Sequence, residues 1–394
     1  MTERLYYTDP YLREFEATLV DTVSHEGRTA LVLDRTAFYP ASGGQPADAG
    51  AFHDVRVIDV VDTDDGRILH VVDRAPSVTT LRGTIDWTRR FDHMQQHTGQ
   101  HVLSAAFDRL LGVRTESFHL GAEDSTIDLA REVTAREIER AEEEANRIVW
   151  EDREVTIRFV EAEEARRLGL RKETSRQGTI RLIDIQDFDL SACGGTHVAR
   201  TGAIGIIAIA ATERFRGGSR ITFRCGNRAL TGFRALRDIV SGGVRVLSVA
   251  PPDLPSAIER LQTDARELRR QLKGYQEQVA AGRADALAAE APLAGGVRLV
   301  AASLEGWDAN GLKIIASRIV EQPGFAVVLM SEPQPSAIVV ARSNGLDVDA
   351  GATLKAIAAK FGGKGGGRPE LAQGGGITAR ASDVLAFARE RLAR

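Results

Sequence analysis

Three histidines and one cysteine occur in two short segments with the spacing of metal ligands. His97-Thr-Gly-Gln-His101 places two imidazoles four residues apart, so a helix would put them on one face. Cys193-Gly-Gly-Thr-His197 supplies a thiolate and a third imidazole on either side of a glycine pair, which favours a turn. A thiolate combined with imidazoles suits zinc better than magnesium or calcium, which prefer oxygen ligands. The sequence therefore predicts one zinc ion per chain, bound by His97, His101, Cys193 and His197.

Each half of this ligand set has an ordinary structural interpretation when taken alone. A histidine pair on a helix is commonly a polar face, and a lone cysteine is commonly a buried apolar residue. A zincin protease is a competing metal enzyme, but it needs a glutamate directly after the first histidine as general base, and Thr98 stands there. His93 continues the four-residue spacing and is expected to be solvent-exposed in the first helical turn, and Cys225 is expected to be structural.

The region that precedes the histidines has the pattern of a small β-domain, assigned to residues 1–90. Short β-rich segments separated by turn residues run from Phe15 to about Trp87. The break at Asp64-Asp65-Gly66 predicts a hairpin. A glycine-rich loop, residues 39–46, is expected between strands of this domain.

Residues 91–240 are assigned to an α+β domain that carries the metal ligands. Its first helix is expected to begin at Asp92, which would cap it, and to end at Gly112. A second helix is predicted by the capping box that Thr134 and Glu137 form. Strands are predicted at residues 155–160 and 179–185.

The second half of the chain predicts a helical arm and a separate α/β domain. Apolar residues from Leu254 to Val279 alternate spacings of four and three, which indicates a heptad seam within an arm at residues 251–290. A lone arm, an antiparallel pair within the chain and a homodimer all stay open on this pattern. Strand runs that alternate with helical stretches indicate an α/β domain over residues 291–394.

Composition restricts the classes of function. The 394 residues include 51 lysines and arginines against 55 acidic residues, so any nucleic-acid contact must come from local basic patches. One such run contains Arg214, Arg216, Arg220, Arg224 and Arg228. Only two cysteines are present, which excludes a disulfide framework and fits a reducing compartment. The N-terminus lacks the pattern of a secretory signal, and the apolar runs are too short for a bilayer, so we expect a cytoplasmic protein without membrane contact.

Taken in order, these motifs resemble the editing half of alanyl-tRNA synthetase and its free-standing relatives, the alanyl-tRNA editing hydrolases. Residues 38–45 resemble the family's glycine-rich loop, and residues 97–101 and 193–197 resemble its two zinc half-sites. Residues 364–376 resemble the DHH-associated C-terminal domain. The resemblance covers nearly the entire chain and implies an α+β multidomain fold. That fold has a small N-terminal β-domain, a zinc-binding α+β editing domain, a helical arm and a C-terminal α/β DHH-associated domain.

The resemblance implies a trans-editing hydrolase that deacylates mischarged tRNA(Ala) by zinc-dependent ester hydrolysis, chiefly Ser-tRNA(Ala) and secondly Gly-tRNA(Ala). Such an enzyme is useful because a synthetase pocket rejects a near-isostere that adds a hydroxyl only about 10²-fold. A synthetase would carry a large aminoacylation domain before this region, so charging activity is not expected. Threonyl-tRNA synthetases carry a similar zinc module. The alternative is a noncatalytic zinc-containing module that binds tRNA or a synthetase.

The same resemblance implies which residues contact the substrate. The acceptor end would be bound by residues of the glycine-rich loop and of the cysteine segment, namely Ser42, Gly43, Gly44, Gln45, Gly194, Gly195 and Thr196. Lys364 and Arg368 would bind the tRNA body. ATP binding is not expected, because glycine follows Lys364 where a P-loop has serine or threonine. Since hydrolytic zinc keeps one position for water, His197 is expected to exchange with water or with the terminal ribose.

Overall fold

Two units make up the chain, Met1–Gly242 and Gly243–Arg394. The computed structural model describes residues 2–172, 177–294 and 296–392. Both units combine helices with sheets, so the protein is multidomain and α+β, as the sequence predicts. Among the described residues, no helix has both the length and the apolar character that crossing a bilayer requires.

A closed barrel forms the first part of the first unit. The strands that precede the first long helix are β1 (Glu3–Arg4), β2 (Glu14–His25), β3 (Arg28–Leu33), β4 (Arg35–Thr36), β5 (Gly50–Phe52), β6 (Val55–Asp62), β7 (Ile68–Val72) and β8 (Thr80–Ile85). The barrel has the order β2-β3-β7-β6-β5-β8, and β1 pairs with β4 in parallel. The predicted hairpin is confirmed, because residues 64–66 connect the antiparallel neighbours β6 and β7. The rings of Phe15, Phe38 and Phe52 fill the interior and meet edge to face.

The helix that carries the histidine pair, α1, spans Trp87–Leu111. It begins before the predicted position at Asp92, because the side chain of Asp86 caps it by accepting a hydrogen bond from a backbone N–H of the first turn. It ends as predicted at Gly112, whose φ of 62° is the left-handed conformation of a helix C-cap. His93 therefore lies in the second turn, where it is only 3% exposed, and the prediction that it is solvent-exposed is wrong.

The remainder of the first unit packs around α1. Its elements are β9 (Thr115–Leu120), β10 (Ser125–Leu129), α2 (Ala135–Trp150), β11 (Val155–Glu161), α3 (Ala162–Arg167), β12 (Thr179–Ile185), β13 (Asp189–Ala192), β14 (Ile207–Phe215), β15 (Gly218–Cys225) and α4 (Asn227–Leu247), which crosses into the second unit. One sheet has the order β14-β15-β10-β9 and another has the order β11-β12-β13. The capping box of Thr134 and Glu137 is confirmed. Leu103 of α1, Ala145 of α2 and Phe223 of β15 belong to one buried core.

The second unit consists of a long helix and a sheet covered by helices. Its elements are α5 (Leu254–Ala289), β16 (Leu293–Ala294), β17 (Val297–Glu305), α6 (Ala309–Val320), β18 (Phe325–Glu332), β19 (Ser336–Arg342), α7 (Ala350–Phe361), β20 (Lys364–Gly367), β21 (Leu371–Ile377) and α8 (Ala381–Leu392). The sheet order is β16-β17-β18-β19-β21-β20, with β17 and β18 parallel. The heptad region forms one continuous helix, and its seam positions Leu268 and Tyr275 are 64% and 65% exposed.

Candidate metal centre and adjoining cavity

The four side chains selected from sequence spacing lie together in the first unit. His97 and His101 are one turn apart on α1, and Cys193 and His197 lie in the segment that follows β13. One potential ligand atom from each side chain lies within 4.8 Å of the others. Sγ of Cys193 is 3.4 Å from Nε2 of His97 and 3.4 Å from Nε2 of His197. Three imidazole nitrogens and one sulfur at these separations fit the ligand set of a tetrahedral zinc site.

A glycine allows the cysteine segment to approach α1 closely. A Cβ atom on Gly195 would lie 2.2 Å from Cε1 of His97 and 2.9 Å from Oε1 of Gln45, which is closer than real contacts allow. A Cβ atom on the neighbouring Gly194 would come no closer than 3.6 Å to the hydroxyl of Tyr7, which is an ordinary contact. Gly195 is therefore required by the packing of the site, in which glycine alone leaves room for the imidazole.

Hydrogen bonds at Nδ1 orient the two histidines of α1. Nδ1 of His97 lies 2.7 Å from Oε1 of Gln45, and Nδ1 of His101 lies 2.9 Å from Oδ2 of Asp189. Because an amide oxygen and a carboxylate accept hydrogen bonds, each ring donates from Nδ1 and turns its Nε2 toward the thiolate. Metal-binding histidines have this arrangement, in which the ring nitrogen that does not bind the metal is hydrogen-bonded to a second residue.

The ring of His197 is oriented by a hydroxyl of α1. Oγ1 of Thr98 donates to the carbonyl oxygen of Met94 at 2.8 Å, so it is free to accept from other donors. It accepts from Nδ1 of His197 at 3.2 Å and from the backbone N–H of Val198 at 3.1 Å. The Nε2 atoms of His97 and His197 thus face the sulfur at 3.4 Å, and His101, whose Nδ1 is bonded to Asp189, has a potential ligand atom within 4.8 Å of it. The orientation of the three rings therefore fits a metal ion at this position.

Electrostatic interactions in the cluster favour a thiolate at Cys193. Burial alone would raise the pKa of Cys193, but the neighbouring His97 and His197 lower it well below its ordinary value. Burial also opposes a charge on His101, yet its hydrogen bonds with Asp189 and Cys193 raise its pKa to about 9. Burial lowers the pKa of His197 to about 3. Since the thiolate is the form that binds metals, the site is suited to a cation.

The glycine-rich loop contributes Gln45 to the support of the metal centre. Ser42 and Gln45 close a tight turn through reciprocal backbone hydrogen bonds of 3.1 and 2.9 Å. The Gln45 side chain is buried, its Oε1 accepts from the N–H of Thr196 at 3.2 Å, and its Nε2 donates to Oγ1 of Thr196 at 2.9 Å. The loop that was expected to bind substrate therefore also links the barrel to the cysteine segment.

The other residues of this loop divide between packing and the cavity wall. Gly44 packs against β9, because a Cβ atom there would lie 2.9 Å from the ring of Phe118. Gly43 lines a cavity of about 280 Å³, together with Gly194 of the cysteine segment. Gly43 and Gly194 are thus the predicted substrate-binding glycines that reach this cavity.

The 280 Å³ cavity meets the metal centre at His101 and Cys193. Its other walls come from α1, β9, β13 and the residues that lead toward β12, namely Gln100, Thr115, Glu116, Ser117, Phe118, Arg171, Lys172, Ser191 and Ala192. A smaller cavity of about 60 Å³ reaches Cys193 from the side of Ser42. His197, in contrast, lines neither of these two cavities and packs against Thr98. A ligand in the larger cavity would therefore approach across the edge between His101 and Cys193, and this geometry gives no support to exchange at His197.

Sequence reasoning missed two residues that position the histidines. Thr98 lies inside the histidine motif, where it served only to argue against a protease, and Asp189 lies four residues before Cys193. With 55 acidic residues in the chain, nearness in sequence does not single out Asp189. The sequence contains little evidence for either role, because the role of each side chain depends on which imidazole ring it faces in the folded protein.

The basic residues considered from the sequence have different surroundings. Arg220, Arg224 and Arg228 are paired with the carboxylates of Asp128, Asp124 and Asp92, which favours a structural role over phosphate contact. Lys364 begins β20, the edge strand of the second unit's sheet, and Arg368 follows that strand. Both of these side chains are exposed.

Two domain families match the chain. Residues 180–221 match the threonyl and alanyl tRNA synthetase second additional domain, which begins in β12 and includes the cysteine segment. Residues 296–394 match the DHHA1 domain. The C-Ala domain of Aquifex aeolicus alanyl-tRNA synthetase is similar over 27% of this chain and 99% of that chain, with 22% identity and a TM-score of 0.25, which is too low to indicate a shared fold.

Curated relatives match the chain along its whole length. The alanyl-tRNA editing protein AlaX-L of Pyrococcus horikoshii is 31% identical over 410 residues, covering 100% of this chain and 98% of its own length. The alanine–tRNA ligase of Thermococcus kodakarensis is 34% identical over 393 residues, covering 95% of this chain and 41% of the ligase. That of Halorubrum lacusprofundi is 36% identical over 396 residues, covering 97% of this chain and 43% of the ligase. The chain thus spans less than half the length of these ligases.

Proposed function

Because the chain belongs to the AlaX-L family of alanyl-tRNA editing proteins, we propose that it hydrolyses the ester bond of mischarged tRNA(Ala) in the cavity beside His101 and Cys193. Ser-tRNA(Ala) is the proposed main substrate and Gly-tRNA(Ala) the second. The observation that carries the proposal is the convergence of three imidazoles and one thiolate at the wall of a cavity that a ligand can enter.

The ligand set supports a hydrolytic site despite its four protein side chains. Zinc held by His97, His101, Cys193 and His197 would act as a Lewis acid on the ester or on the attacking water. His101 and Cys193 present one edge of this set to the cavity, while His97 and His197 are covered by protein on their outer sides. Approach from the cavity therefore leaves every proposed ligand in place. The surrounding protein also excludes bulk water from the other sides, which strengthens electrostatic interactions at the ester.

The dimensions and the polar lining of the cavity suit a seryl ester. Its volume of about 280 Å³ is near the lower end for small-molecule sites, so it suits the aminoacyl end of a tRNA. Gln100 of α1 and Thr115 and Ser117 of β9 are polar side chains of the lining, and Oε1 of Gln100 is buried without a partner among the described residues. Alanine lacks the hydroxyl and would leave such groups unpaired, at about 1–3 kcal/mol each. This difference would favour removal of serine over alanine.

Basic side chains next to the cavity would contact the acceptor end. A neighbouring groove of about 350 Å³ shares Thr115, Glu116, Arg171 and Lys172 with the cavity and adds Asp108, Arg114 and Leu170, so its basic side chains outnumber its acidic ones. Arg114 and Lys172 are suited to backbone phosphates, which supply affinity without sequence information. Such contacts would orient the ester toward His101.

The second unit would contribute to binding of the tRNA body. Its exposed Lys364 and Arg368 flank glycines whose backbone groups are accessible at a sheet edge. The exposed seam of α5 keeps a homodimer among the proposed partners. A role in tRNA editing places the protein in the cytoplasm in this proposal.

A deacylation assay tests the proposed function. Zinc-loaded protein is incubated with Ser-tRNA(Ala) and with Ala-tRNA(Ala), and the release of each amino acid is followed. We expect serine release about 5- to 160-fold faster than alanine release, because one unpaired polar group costs about 1–3 kcal/mol. The variant with His101→Ala and Cys193→Ala together should lose both zinc and hydrolysis. Binding of Ser-tRNA(Ala) without release would instead support the noncatalytic module, and unaltered turnover in the double variant would exclude the zinc mechanism.

A further inference from the structure

The carboxylate of Asp189 lies between the metal centre and an arginine of the cavity wall. Its Oδ2 accepts from Nδ1 of His101 at 2.9 Å, and its Oδ1 accepts from Nε of Arg171 at 2.7 Å. The hydroxyl of Ser191 donates to the two carboxylate oxygens at 3.1 and 3.0 Å. The Asp189 side chain is 0% exposed. A carboxylate this deeply buried requires such donors to remain charged.

Asp189 differs from the groups that bind the other two histidines. Gln45 and Thr98 present a neutral amide oxygen and a neutral hydroxyl to their imidazoles. An ionised acceptor makes a hydrogen bond roughly twice as strong as a neutral one, and a carboxylate partner also increases the basicity of a metal-binding imidazole. His101 is therefore the most firmly oriented of the three histidines, and it is also the one that lines the larger cavity.

Asp189 is placed neither as a metal ligand nor as a general base. Its oxygens already contact His101, Arg171 and Ser191 on the side away from the proposed metal position, which argues against a metal ligand. Complete burial of the carboxylate also separates it from a water molecule in the cavity, which argues against a general base. The hydrogen bonds of Asp189 are instead those of a residue that orients His101.

We propose that Asp189, held in place by Arg171, is a positioning residue that fixes His101 for metal binding. The inference rests on the proposed function in one respect, which is that His101 binds the metal. Asparagine at position 189 would retain one acceptor oxygen but would direct an N–H₂ group toward a donor, either that of His101 or that of Arg171. In the first arrangement the imidazole of His101 would lose its acceptor, and in the second the side chain at position 189 would lose the hydrogen bond from Nε of Arg171 that holds it in place.

Metal affinity of the full-length protein tests this proposal directly. Zn²⁺ and Co²⁺ dissociation constants are measured by competition with a chromophoric chelator, and the absorption of the Co²⁺ protein reports the ligand geometry. We expect Asp189→Asn to weaken binding about 10- to 100-fold, the usual effect of losing such an outer partner, and to shift the Co²⁺ bands. The matched control is Asp184→Asn on β12, since Asp184 is also paired with an arginine, Arg158, at 3.1 Å. The control should bind both metals within about twofold of the wild-type affinity.

The outcomes separate this inference from the proposed function. A wild-type protein that binds neither metal contradicts the proposed zinc site itself. If the wild-type protein binds zinc and Asp189→Asn binds it equally well, the positioning role is overturned while the proposed function stands. A lower melting temperature of the metal-free Asp189→Asn variant with unchanged affinity would also overturn it, because that is the result of a merely structural role.

A second variant decides the question if Asp189→Asn does not fold. Arg171→Met removes the hydrogen bonds of 2.7 and 3.4 Å to Asp189 but keeps the contact between Asp189 and His101. Metal binding should weaken at least about fivefold, because one charge-assisted hydrogen bond contributes roughly 1 kcal/mol or more to holding its partner. Wild-type affinity in this variant would overturn the proposal.

Discussion

Each histidine of the candidate metal centre depends on a residue that would not touch the metal. An amide, a carboxylate and a hydroxyl receive the three Nδ1 hydrogens, and they come from the barrel, from β13 and from α1. These partners set the directions of the rings before any ion is bound. Substitutions next to the ligands should therefore weaken metal binding measurably, by about 10- to 100-fold.

Gly195→Ala is expected to weaken metal binding, whereas Gly194→Ala is not. The added methyl group at position 195 would lie 2.2 Å from His97 and would displace the ring, but at position 194 its nearest contact would be 3.6 Å away. Overpacking of this kind costs about 1–3 kcal/mol, so the affinity should fall about tenfold or more. Zinc titration of both purified variants measures the difference. Equal affinities would show that the segment can shift to accommodate the methyl group.

The ligands were predictable from sequence, but their partners were not, for a physical reason. Spacing within a helix or a turn is a local property, so His97 and His101 could be paired by counting residues. Gln45 is 52 positions from His97, and Asp189 is 88 positions from His101, so only the folded chain brings them together. The glycine-rich loop was expected to bind the acceptor end, whereas the buried side chain of its Gln45 contacts His97.

At the scale of elements, the start of α1 shows how a local signal can be ambiguous. Asp86 and Asp92 are both suitable caps, and the sequence favoured the later one. The helix begins at the earlier one, so that Trp87 and Phe91 stack at 5.6 Å within its first turns. Asp92 instead accepts hydrogen bonds from Arg228 at 2.6 Å. The earlier start thus goes together with an aromatic contact inside the helix and with the pairing of Asp92 and Arg228.

The barrel contains a buried histidine that should make its stability depend on pH. His70 is enclosed between Phe38 and Phe52, and it contacts the hydroxyl of Thr36 at 2.8 Å and the carbonyl oxygen of Leu31 at 3.1 Å. Burial lowers its pKa from 6.5 to about 4. The folded state therefore binds fewer protons than the unfolded state between these values. The stabilisation is complete above pH 6.5 and is lost as the pH falls toward 4.

His70→Gln should remove this part of the pH dependence. The free energy of unfolding of the wild-type protein, relative to that of the variant, should decrease by about 3 kcal/mol between about pH 7 and pH 4, because each pKa unit corresponds to 1.36 kcal/mol. Urea unfolding followed by circular dichroism at several pH values measures it. Comparison with the variant cancels the contributions of the other histidines. A constant difference across this range would contradict a neutral, buried His70.

At the scale of the whole molecule, the proposed chemistry and the proposed tRNA grip lie in different units. The candidate ligands and the cavity lie within Met1–Gly242, and the DHHA1 match lies within Gly243–Arg394. The strand periods and the seam of α5 were visible in the sequence because they repeat over many residues. The grouping of these elements into two units depends on long-range contacts, which no local pattern records.

Removal of the chain after about Pro251 should weaken tRNA binding more than it harms hydrolysis. The shortened protein keeps each candidate ligand and each cavity residue, but it loses Lys364 and Arg368. We expect the affinity for tRNA(Ala) to fall at least about tenfold, because a linked second contact adds this much or more. The rate of serine release at saturating substrate should stay within a few-fold. Filter binding and single-turnover deacylation measure the two quantities, and unchanged affinity would contradict a tRNA-binding role of the second unit.

The dependence of His97 on Gln45 has a consequence for protein synthesis. A ribosome delivers the glycine-rich loop first, the histidine helix next and the cysteine segment last, and the ring needs all three to take its direction. Under the proposed function, a nascent or prematurely terminated chain that lacks the last segment would therefore be unable to cleave aminoacyl esters.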